Sequence, residues 1–289
     1  MSADGNIYFY DASLAASALF TVLNALPTAF LVYTTIIGPR TGKYRDASFF
    51  IPLCIGGLME VGGYIIRCIS IQNNRNIPIY ATSSSLIVIA PVLVCASLYL
   101  LLGKLVRAGI PTAPGQKQAR ILGITAHWLP RVFIASDILS FSTQAGGSGI
   151  ASSNNWQPGP TKDLGENVLI AGLALQLATF SAFMALIIRF HQRARLAAKH
   201  EISSGLKKVL IGLYISGFFI EVRCIYRLIE FIMGTDGYPF RHEWPLYVLE
   251  ACPMLFALCA LGYFHPGKWL PVDSTPDHDE ELNRLASRA

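Results

Sequence analysis

The chain has 289 residues, of which 53% are hydrophobic and 14% are charged, and its formal net charge is +5 at pH 7. Charged residues make up about 25% of an ordinary soluble domain, so this composition excludes a soluble enzyme and indicates a chain that lies in lipid. Apolar stretches long enough to cross a hydrocarbon core, which takes about 20 residues each, follow one another and are joined by short polar segments. The sequence therefore predicts an all-α, polytopic integral membrane protein and no enzyme.

We predict seven transmembrane helices in one domain over residues 1–270, followed by an acidic, disordered cytoplasmic tail over residues 271–289. The predicted helices cover residues 15–37, 47–69, 81–102, 122–144, 167–188, 209–233 and 244–264. The fourth helix is the least regular, because Pro130, Arg131 and Asp137 interrupt its apolar run. The joint that follows it, rich in Gly, Ser, Asn and Pro, is predicted to cap the outer face.

The distribution of Lys and Arg among the joints predicts the orientation. The joints after the first, third and fifth helices contain three, four and six basic residues, whereas the alternate joints contain one each, Arg75, Lys162 and Arg241. Because basic loops stay in the cytoplasm, we predict that the N-terminus lies outside and the C-terminus is cytoplasmic. This asymmetry and attraction to anionic lipid explain the net positive charge, so we expect no nucleic-acid partner.

Nine ionisable residues fall within the predicted spans. Each costs about 2.5 to 3.5 kcal/mol at the centre of a membrane helix if it stays unpaired. They are Glu60, Arg67, Arg131, Asp137, Glu221, Arg223, Arg227, Glu230 and Glu250. Because five are acids and four are bases, nearly all of them can pair, and we expect them to face the bundle interior, pair, or line water.

Two interpretations of these charges remain open. They can form an ion-pair network that only fixes the register of the helices, or they can line a hydrated cavity that opens outward and binds a polar head group. Nine charges exceed what register requires, so we favour the cavity. Pro130 and Pro253 interrupt the fourth and seventh predicted helices, where we expect them to permit bending and to free backbone carbonyls.

The sequence supports a nucleotide or haem cofactor less well than it supports a polar cavity. Residues 38–43 lack the glycine spacing of a phosphate-binding loop, so a built-in ATP motor is not expected. We expect no cofactor. The alternative is haem bound by His127, His191 or His265, which lie near predicted cytoplasmic helix ends, where histidines also form hydrogen bonds to head groups or helix ends.

Segments of four predicted helices resemble one family. They read GLMEVGGYIIR over residues 57–67, GLALQ over 172–176, EVRCIYRLIE over 221–230 and YVLE over 247–250. These segments resemble the fungal RTA1-like (lipid-translocating exporter) family, and the resemblance extends from the first helix to Pro266. It implies a seven-span fungal protein, often of the plasma membrane, linked to release of sphingoid bases, resistance to toxic amphiphiles and, in one branch, porphyrin uptake. The family's matching positions are Glu60, Arg67, Gln176, Glu221, Arg223, Arg227, Glu230 and Glu250.

Three hypotheses for the function follow. In the first, the protein transports or translocates an amphiphile such as a sphingoid base or a sterol-like toxic compound, whose ammonium group meets Glu60, Asp137 and Glu230. The second is a seven-span lipid receptor or sensor, and the third is a haem or porphyrin binding or transport protein. We expect a lipid or other amphiphile as partner and leave the oligomeric state open. The candidate binding residues are Glu60, Arg67, Asp137, Gln176, Glu221, Arg223, Arg227, Glu230 and Glu250.

Overall fold

The computed structural model describes most of the chain. The described residues are 12–41, 44, 47–73, 76–109, 120–121, 124–125, 128–153, 159–197, 204–234 and 237–269. Within them the chain is helical, apart from one antiparallel pair of two-residue strands, Arg120–Ile121 (β1) and Ile124–Thr125 (β2). The predicted all-α class is thus confirmed. The predicted tail and His127 lie outside the described residues.

Seven long helices make up the described part of the bundle. The first, α1, consists of an α-helix over Leu14–Val32, a π-helical segment over Tyr33–Ile37 and a last turn over Gly38–Arg40. The next five are α2 (Ile51–Gln72), α3 (Ile77–Gly109), α4 (Leu129–Ser153), α5 (Pro160–Ala197) and α6 (Ser204–Met233). The last, α7, begins as a π-helix over Leu246–Ala251 and continues as an α-helix over Cys252–Tyr263. Short helices cover Ser48–Phe50, Tyr238–Arg241 and Pro266–Trp269.

Six segments of the described chain are long and apolar enough to cross a membrane. They are Leu14–Arg40, Ser48–Gln72, Ile77–Val106, Pro160–Leu196, Ser204–Met233 and Leu246–Trp269, and their mean hydropathy lies between 1.7 and 2.6. The protein is therefore an integral membrane protein. The remaining helix, α4, has 25 residues, which span about 38 Å, but it is not apolar enough to be counted with the six. The seven-span count and the orientation remain predictions.

The boundaries predicted for the fourth helix are wrong. The helix begins at Leu129, so Pro130 occupies its first turn, where a missing N–H breaks no helical hydrogen bond and the proline does not interrupt the helix. Arg131 is consequently exposed near the helix end, with its guanidinium carbon 5.6 Å from the ring centroid of Trp128, and does not belong to the buried charges.

The glycine-rich segment after residue 144 continues α4 to Ser153 and does not form the predicted loop. A Cβ atom on Gly147 would lie 2.6 Å from the carbonyl oxygen of Gly165, and one on Gly165 would lie 2.6 Å from the backbone nitrogen of Ala151. Because neither residue has a side chain, the backbones of α4 and α5 approach closely there. Much of the predicted outer joint is therefore helical.

The helices pack as sequential neighbours, and α1 also contacts α7. Helical periodicity puts Gly56, Glu60, Gly63 and Arg67 on one stripe of α2, and all four residues are buried. Two of these residues bring α2 close to α3: a Cβ on Gly56 would lie 2.9 Å from the carbonyl oxygen of Ala90, and one on Gly63 would lie 2.7 Å from Ile87 Cγ1. The stripe thus places Glu60 inside the bundle.

Candidate functional site

Three arginines and three glutamates form the arginine network, which consists of Arg67, Arg223, Arg227, Glu230, Glu243 and Glu250. At its centre, Arg223 Nη2 on α6 donates to Glu250 Oε1 on α7 at 2.7 Å. Arg227 Nη1 donates to Glu230 Oε2 at 2.9 Å and lies 3.8 Å from Glu250 Oε2. Glu250 is therefore shared by two arginines, which compensates its burial.

The backbone around Glu250 departs from α-helical geometry for a reason visible in the sequence. Pro253 has no N–H with which to bond the carbonyl of residue 249, and the segment before it, Leu246–Ala251, is a π-helix. Pro253 therefore disturbs the seventh helix near the charges, as predicted. A π-helical turn also changes the direction of the side chains within it, and here Glu250 points at Arg223.

A second arm of the network joins α2 to the segment before α7. Arg67 Nη2 lies 3.4 Å from Glu243 Oε1, and the guanidinium of Arg67 lies 5.9 Å from the ring centroid of Tyr247. Glu243 also accepts hydrogen bonds from the Tyr247 hydroxyl at 3.0 Å and from the backbone N–H of Ser13 at 2.8 Å. Glu243 was not among the predicted charges because it lies one residue before the predicted seventh helix.

Three of the five acids predicted within the spans have no basic partner among the described residues. Each arginine of the network pairs with a glutamate, so Glu60, Asp137 and Glu221 take part in no ion pair there. This differs from the near-complete pairing that we expected from the sequence. The difference arises because Arg131 lies near a helix end and because Arg67 pairs with Glu243, which lies outside the predicted set.

Glu60 is the most buried of these acids, with no exposed surface, and neither of its carboxylate oxygens has a hydrogen-bond partner among the described residues. Two contacts set the antiparallel register of α1 and α2. Phe20 packs against Tyr64 with 6.2 Å between ring centroids, and Gly57 packs against Thr28. In an antiparallel pair with these two contacts, Asn24 of α1 and Glu60 of α2 fall midway between them, so the register places Asn24 level with Glu60.

The polar atoms around Glu60 are unsatisfied as well. The Asn24 side-chain oxygen, the Thr28 hydroxyl and the Tyr64 hydroxyl are buried and have no hydrogen-bond partner in the described part of the chain. We call Asn24, Thr28, Glu60 and Tyr64 the Glu60 site. Arg223 of the arginine network is close enough to interact electrostatically with Glu60. The site therefore presents buried acceptor atoms beside a fixed ion-pair network.

A second polar group lies where α3, α4 and α5 meet. Tyr99 Oη donates to Asp137 Oδ2 at 2.8 Å, while Asp137 Oδ1 and the Ser140 hydroxyl have no partner among the described residues. Gln144 Nε2 donates to Gln176 Oε1 at 2.9 Å. Asp137, Ser140 and Gln144 thus form a buried polar face of α4. Among the described contacts, neither Asp137 nor Gln176 pairs with a residue of the arginine network.

Glu221 lies apart from both groups. It is half-buried and accepts a hydrogen bond from the Ser181 hydroxyl on α5. The structure therefore divides the nine predicted binding residues among three places. Glu60, Arg67, Arg223, Arg227, Glu230 and Glu250 lie in or beside the arginine network, Asp137 and Gln176 lie in the second polar group, and Glu221 stands by itself.

Two of the three candidate haem ligands, His191 and His265, contact protein side chains. His265 is buried, and its Nδ1 accepts a hydrogen bond from the backbone N–H of Gly267 at 3.2 Å, which leaves the proton on Nε2 to face Thr35 Oγ1 at 3.1 Å. Both ring nitrogens are thus used by protein groups. His191 Nδ1 lies 3.2 Å from the Tyr214 hydroxyl. Among the described residues, no group of three or more His, Cys, Asp or Glu side chains is arranged to hold a metal ion.

A helical bundle with buried ion pairs and a buried, unpartnered carboxylate defines a polytopic membrane protein with a polar intramembrane site. A family model described as "RTA1 like protein" matches residues 53–273, and the chain belongs to this family. The match confirms the resemblance that the four helical segments indicated.

Relatives from Saccharomyces cerevisiae extend this comparison. The chain is 34% identical to "Protein RTM1" over 73% of this chain and 65% of that protein, so it covers slightly less than two thirds of that relative. It is 30% identical to "Protoporphyrin uptake protein 1" over 89% of this chain and 90% of that protein. It is 29% identical to "Sphingoid long-chain base transporter RSB1" over 81% of this chain and 69% of that protein. No solved structure matches the chain.

Proposed function

We propose that this protein is a transporter of amphiphiles in the fungal plasma membrane and that the Glu60 site binds an ammonium head group. The observation that carries the proposal is the Glu60 carboxylate, which is completely buried and has no partner within the described residues. A relative is named as a sphingoid long-chain base transporter, and such a base joins an amine to a long apolar chain. The amine of such a base can pair with a buried carboxylate, and its apolar chain can lie among membrane helices.

The hydrogen-bonding inventory of the site favours an ammonium over other head groups. The two oxygens of an ionised Glu60 and the side-chain oxygen of Asn24 can only accept hydrogen bonds, and Thr28 and Tyr64 can accept as well. An ammonium carries three donors and no acceptor, so it can bond the three oxygens of Glu60 and Asn24 that only accept, and it neutralises the carboxylate. Burial of an unpaired carboxylate costs several kcal/mol, and a bound ammonium removes much of that cost.

The arginine network has a supporting role in this proposal. Its three arginines are each bound by a glutamate, so they hold the helices around the site and leave Glu60 to the ligand. When the site is empty, a proton on Glu60 replaces the ammonium, since neutralisation is the least costly state of a buried acid. Transport is then an exchange of a proton for an ammonium at one carboxylate.

The test uses Glu60→Gln in purified protein that is reconstituted into vesicles. The substitution keeps the shape of the side chain and removes the charge, so we expect binding and translocation of a fluorescent long-chain amine to fall by about tenfold or more. Glu166→Gln is the matched control, because Glu166 is partly exposed and pairs with Lys162 on the same helix. Thermal stability of both variants reports whether they fold.

The outcomes of this test distinguish an ammonium transporter from a protein that does not use Glu60 and from a receptor. Unchanged amine transport by a folded Glu60→Gln protein overturns the proposal. An N-acetylated amine, which has no charge, should bind the natural protein weakly and should not respond to the substitution. Binding of the amine without translocation in the natural protein would instead favour the lipid receptor or sensor.

Porphyrin handling is the second candidate, because a relative that aligns over 90% of its length is named as a protoporphyrin uptake protein. Protoporphyrin is an amphiphile with two carboxylates, so it requires basic groups instead of Glu60. Titration of the purified protein with protoporphyrin, followed by visible absorbance, tests this candidate. A saturable spectral shift that survives Glu60→Gln would support a porphyrin site elsewhere in the bundle.

A further inference from the structure

A groove of about 370 Å³ lies between the C-terminal halves of α1 and α7. Leu26, Pro27 and Phe30 of α1 form one wall, and Gly262 and Tyr263 of α7 form the other. A Cβ atom on Gly262 would lie 3.3 Å from Phe30 Cδ1, so a larger residue there would narrow the groove. Its volume falls in the range of about 300 to 1,000 Å³ that is usual for small-molecule sites.

The groove opens sideways into the hydrocarbon region. Leu26 and Tyr263 expose 65% and 67% of their surface, and both lie in segments that are apolar enough to cross the membrane. Exposed apolar side chains at such positions face lipid tails instead of water. An acyl chain can therefore enter the groove from the membrane without passing through water.

One end of the groove is polar and positively charged. Lys268 and Tyr44, which follow the ends of α7 and α1, line the groove there, and none of the described residues that line it is acidic. Lys268 takes part in no ion pair in the described part of the chain. Its Nζ lies 5.1 Å from the ring centroid of Trp269, and Lys208 Nζ lies 3.5 Å from the same centroid. Two ammonium groups thus flank one indole ring beside the groove.

We propose that the groove binds an anionic phospholipid, with one acyl chain against α1 and α7 and the phosphate at Lys268 and the Tyr44 hydroxyl. Lysine and hydroxyl donors suit phosphate oxygens, and the described lining of the groove contains no carboxylate that would repel them. The predicted orientation places this end at the cytoplasmic leaflet, where anionic phospholipids concentrate.

This lipid site differs from the Glu60 site in charge and in position. The Glu60 site presents acceptors for a cation inside the bundle, whereas the groove presents donors for an anion at its lipid-facing surface. The two sites share their helices, because α1 carries Asn24 and Thr28 and α7 carries Glu250 of the adjoining network. A phospholipid that bridges α1 and α7 therefore stabilises the helix pair that holds the ammonium site.

The test measures lipid binding to the full-length protein in mild detergent by native mass spectrometry. Phosphatidic acid and phosphatidylcholine with the same chains are the probes. We expect phosphatidic acid to bind more tightly, to raise the melting temperature, and to lose about tenfold in affinity in Lys268→Gln. Lys207→Gln is the matched control, because Lys207 is an exposed lysine of α6 that does not line the groove.

A second variant tests the apolar wall independently of charge. Leu26→Trp fills the lipid-facing side of the groove at an exposed position, so it should weaken phosphatidic acid binding without unfolding the protein. Equal binding of the two lipids, an equal loss in Lys207→Gln, or no loss in Lys268→Gln would overturn the proposal. Displacement by inorganic phosphate alone, or retention of a sterol or porphyrin in place of the phospholipid, would overturn it too.

Discussion

The guanidinium of Arg223 on α6 donates a hydrogen bond to the backbone carbonyl of Ile87 on α3 at 2.9 Å. In an α-helix that carbonyl would bond the N–H of the residue four positions later, which is Pro91 and has none. Arg223 thus satisfies an acceptor that a proline leaves open, while it also pairs with Glu250. One side chain joins three helices at the centre of the bundle.

Arg223→Ala should be among the most destabilising single substitutions in this protein. It leaves Glu250 with only the more distant Arg227 and leaves the Ile87 carbonyl without a donor. Loss of one partner of a buried ion pair costs about 3 to 5 kcal/mol. Unfolding in mixed detergents measures the loss, and adding Glu250→Gln should restore part of it. A full loss in the double variant would contradict the shared role of the pair.

The glycines of α2 allow a comparison of adjacent positions. Gly63→Ala should destabilise the protein by about 1 to 3 kcal/mol, because the new Cβ would lie 2.7 Å from Ile87 Cγ1 on α3. Gly62→Ala is the control, since a Cβ at that position meets no described side chain or neighbouring helix within 4 Å, and alanine favours a helix by roughly 0.5 to 1 kcal/mol. Thermal melting of both variants in detergent measures the difference. Equal melting temperatures would show that α2 and α3 do not pack as closely as described.

Tyr99→Phe should destabilise the second polar group by about 1 to 3 kcal/mol. The substitution removes the only hydrogen bond described for the Asp137 carboxyl and leaves it buried without a donor. Tyr214→Phe is the control. It removes a hydroxyl that bonds His191, which is only half-buried, so the loss of stability should be smaller. Mixed-detergent unfolding measures both. Similar effects of the two substitutions would mean that the Asp137 bond adds nothing specific to stability.

The composition and the periodic charges predicted the helical class, the buried stripe of α2 and most of the arginine network. These features are local in sequence, because a helix puts residues three and four apart on one face. The Asn24 contribution to the Glu60 site was not predictable in this way. It depends on the register of α1 against α2, which two distant contacts determine, those of Phe20 with Tyr64 and of Thr28 with Gly57.

The fourth helix was mispredicted for a different physical reason. Its polar residues lower its hydropathy, and its glycines serve in packing against α5, although in sequence they are typical of a loop. Pro91 is a second case in which the sequence alone is not sufficient. The sequence shows that a carbonyl is left open, but only the packing of α6 against α3 shows that Arg223 fills it.

The seven-span topology can be tested by labelling the joints that flank α5. Asn155→Cys and Glu201→Cys, each in a background without the six natural cysteines, place a thiol before and after this helix. If all seven helices cross the membrane with the N-terminus outside, position 155 faces the exterior and position 201 the cytoplasm. A membrane-impermeant maleimide should then label intact cells at position 155 alone and should label both positions after permeabilisation. If α4 does not cross while α1 to α3 keep their orientation, position 155 stays inside and position 201 is labelled in intact cells.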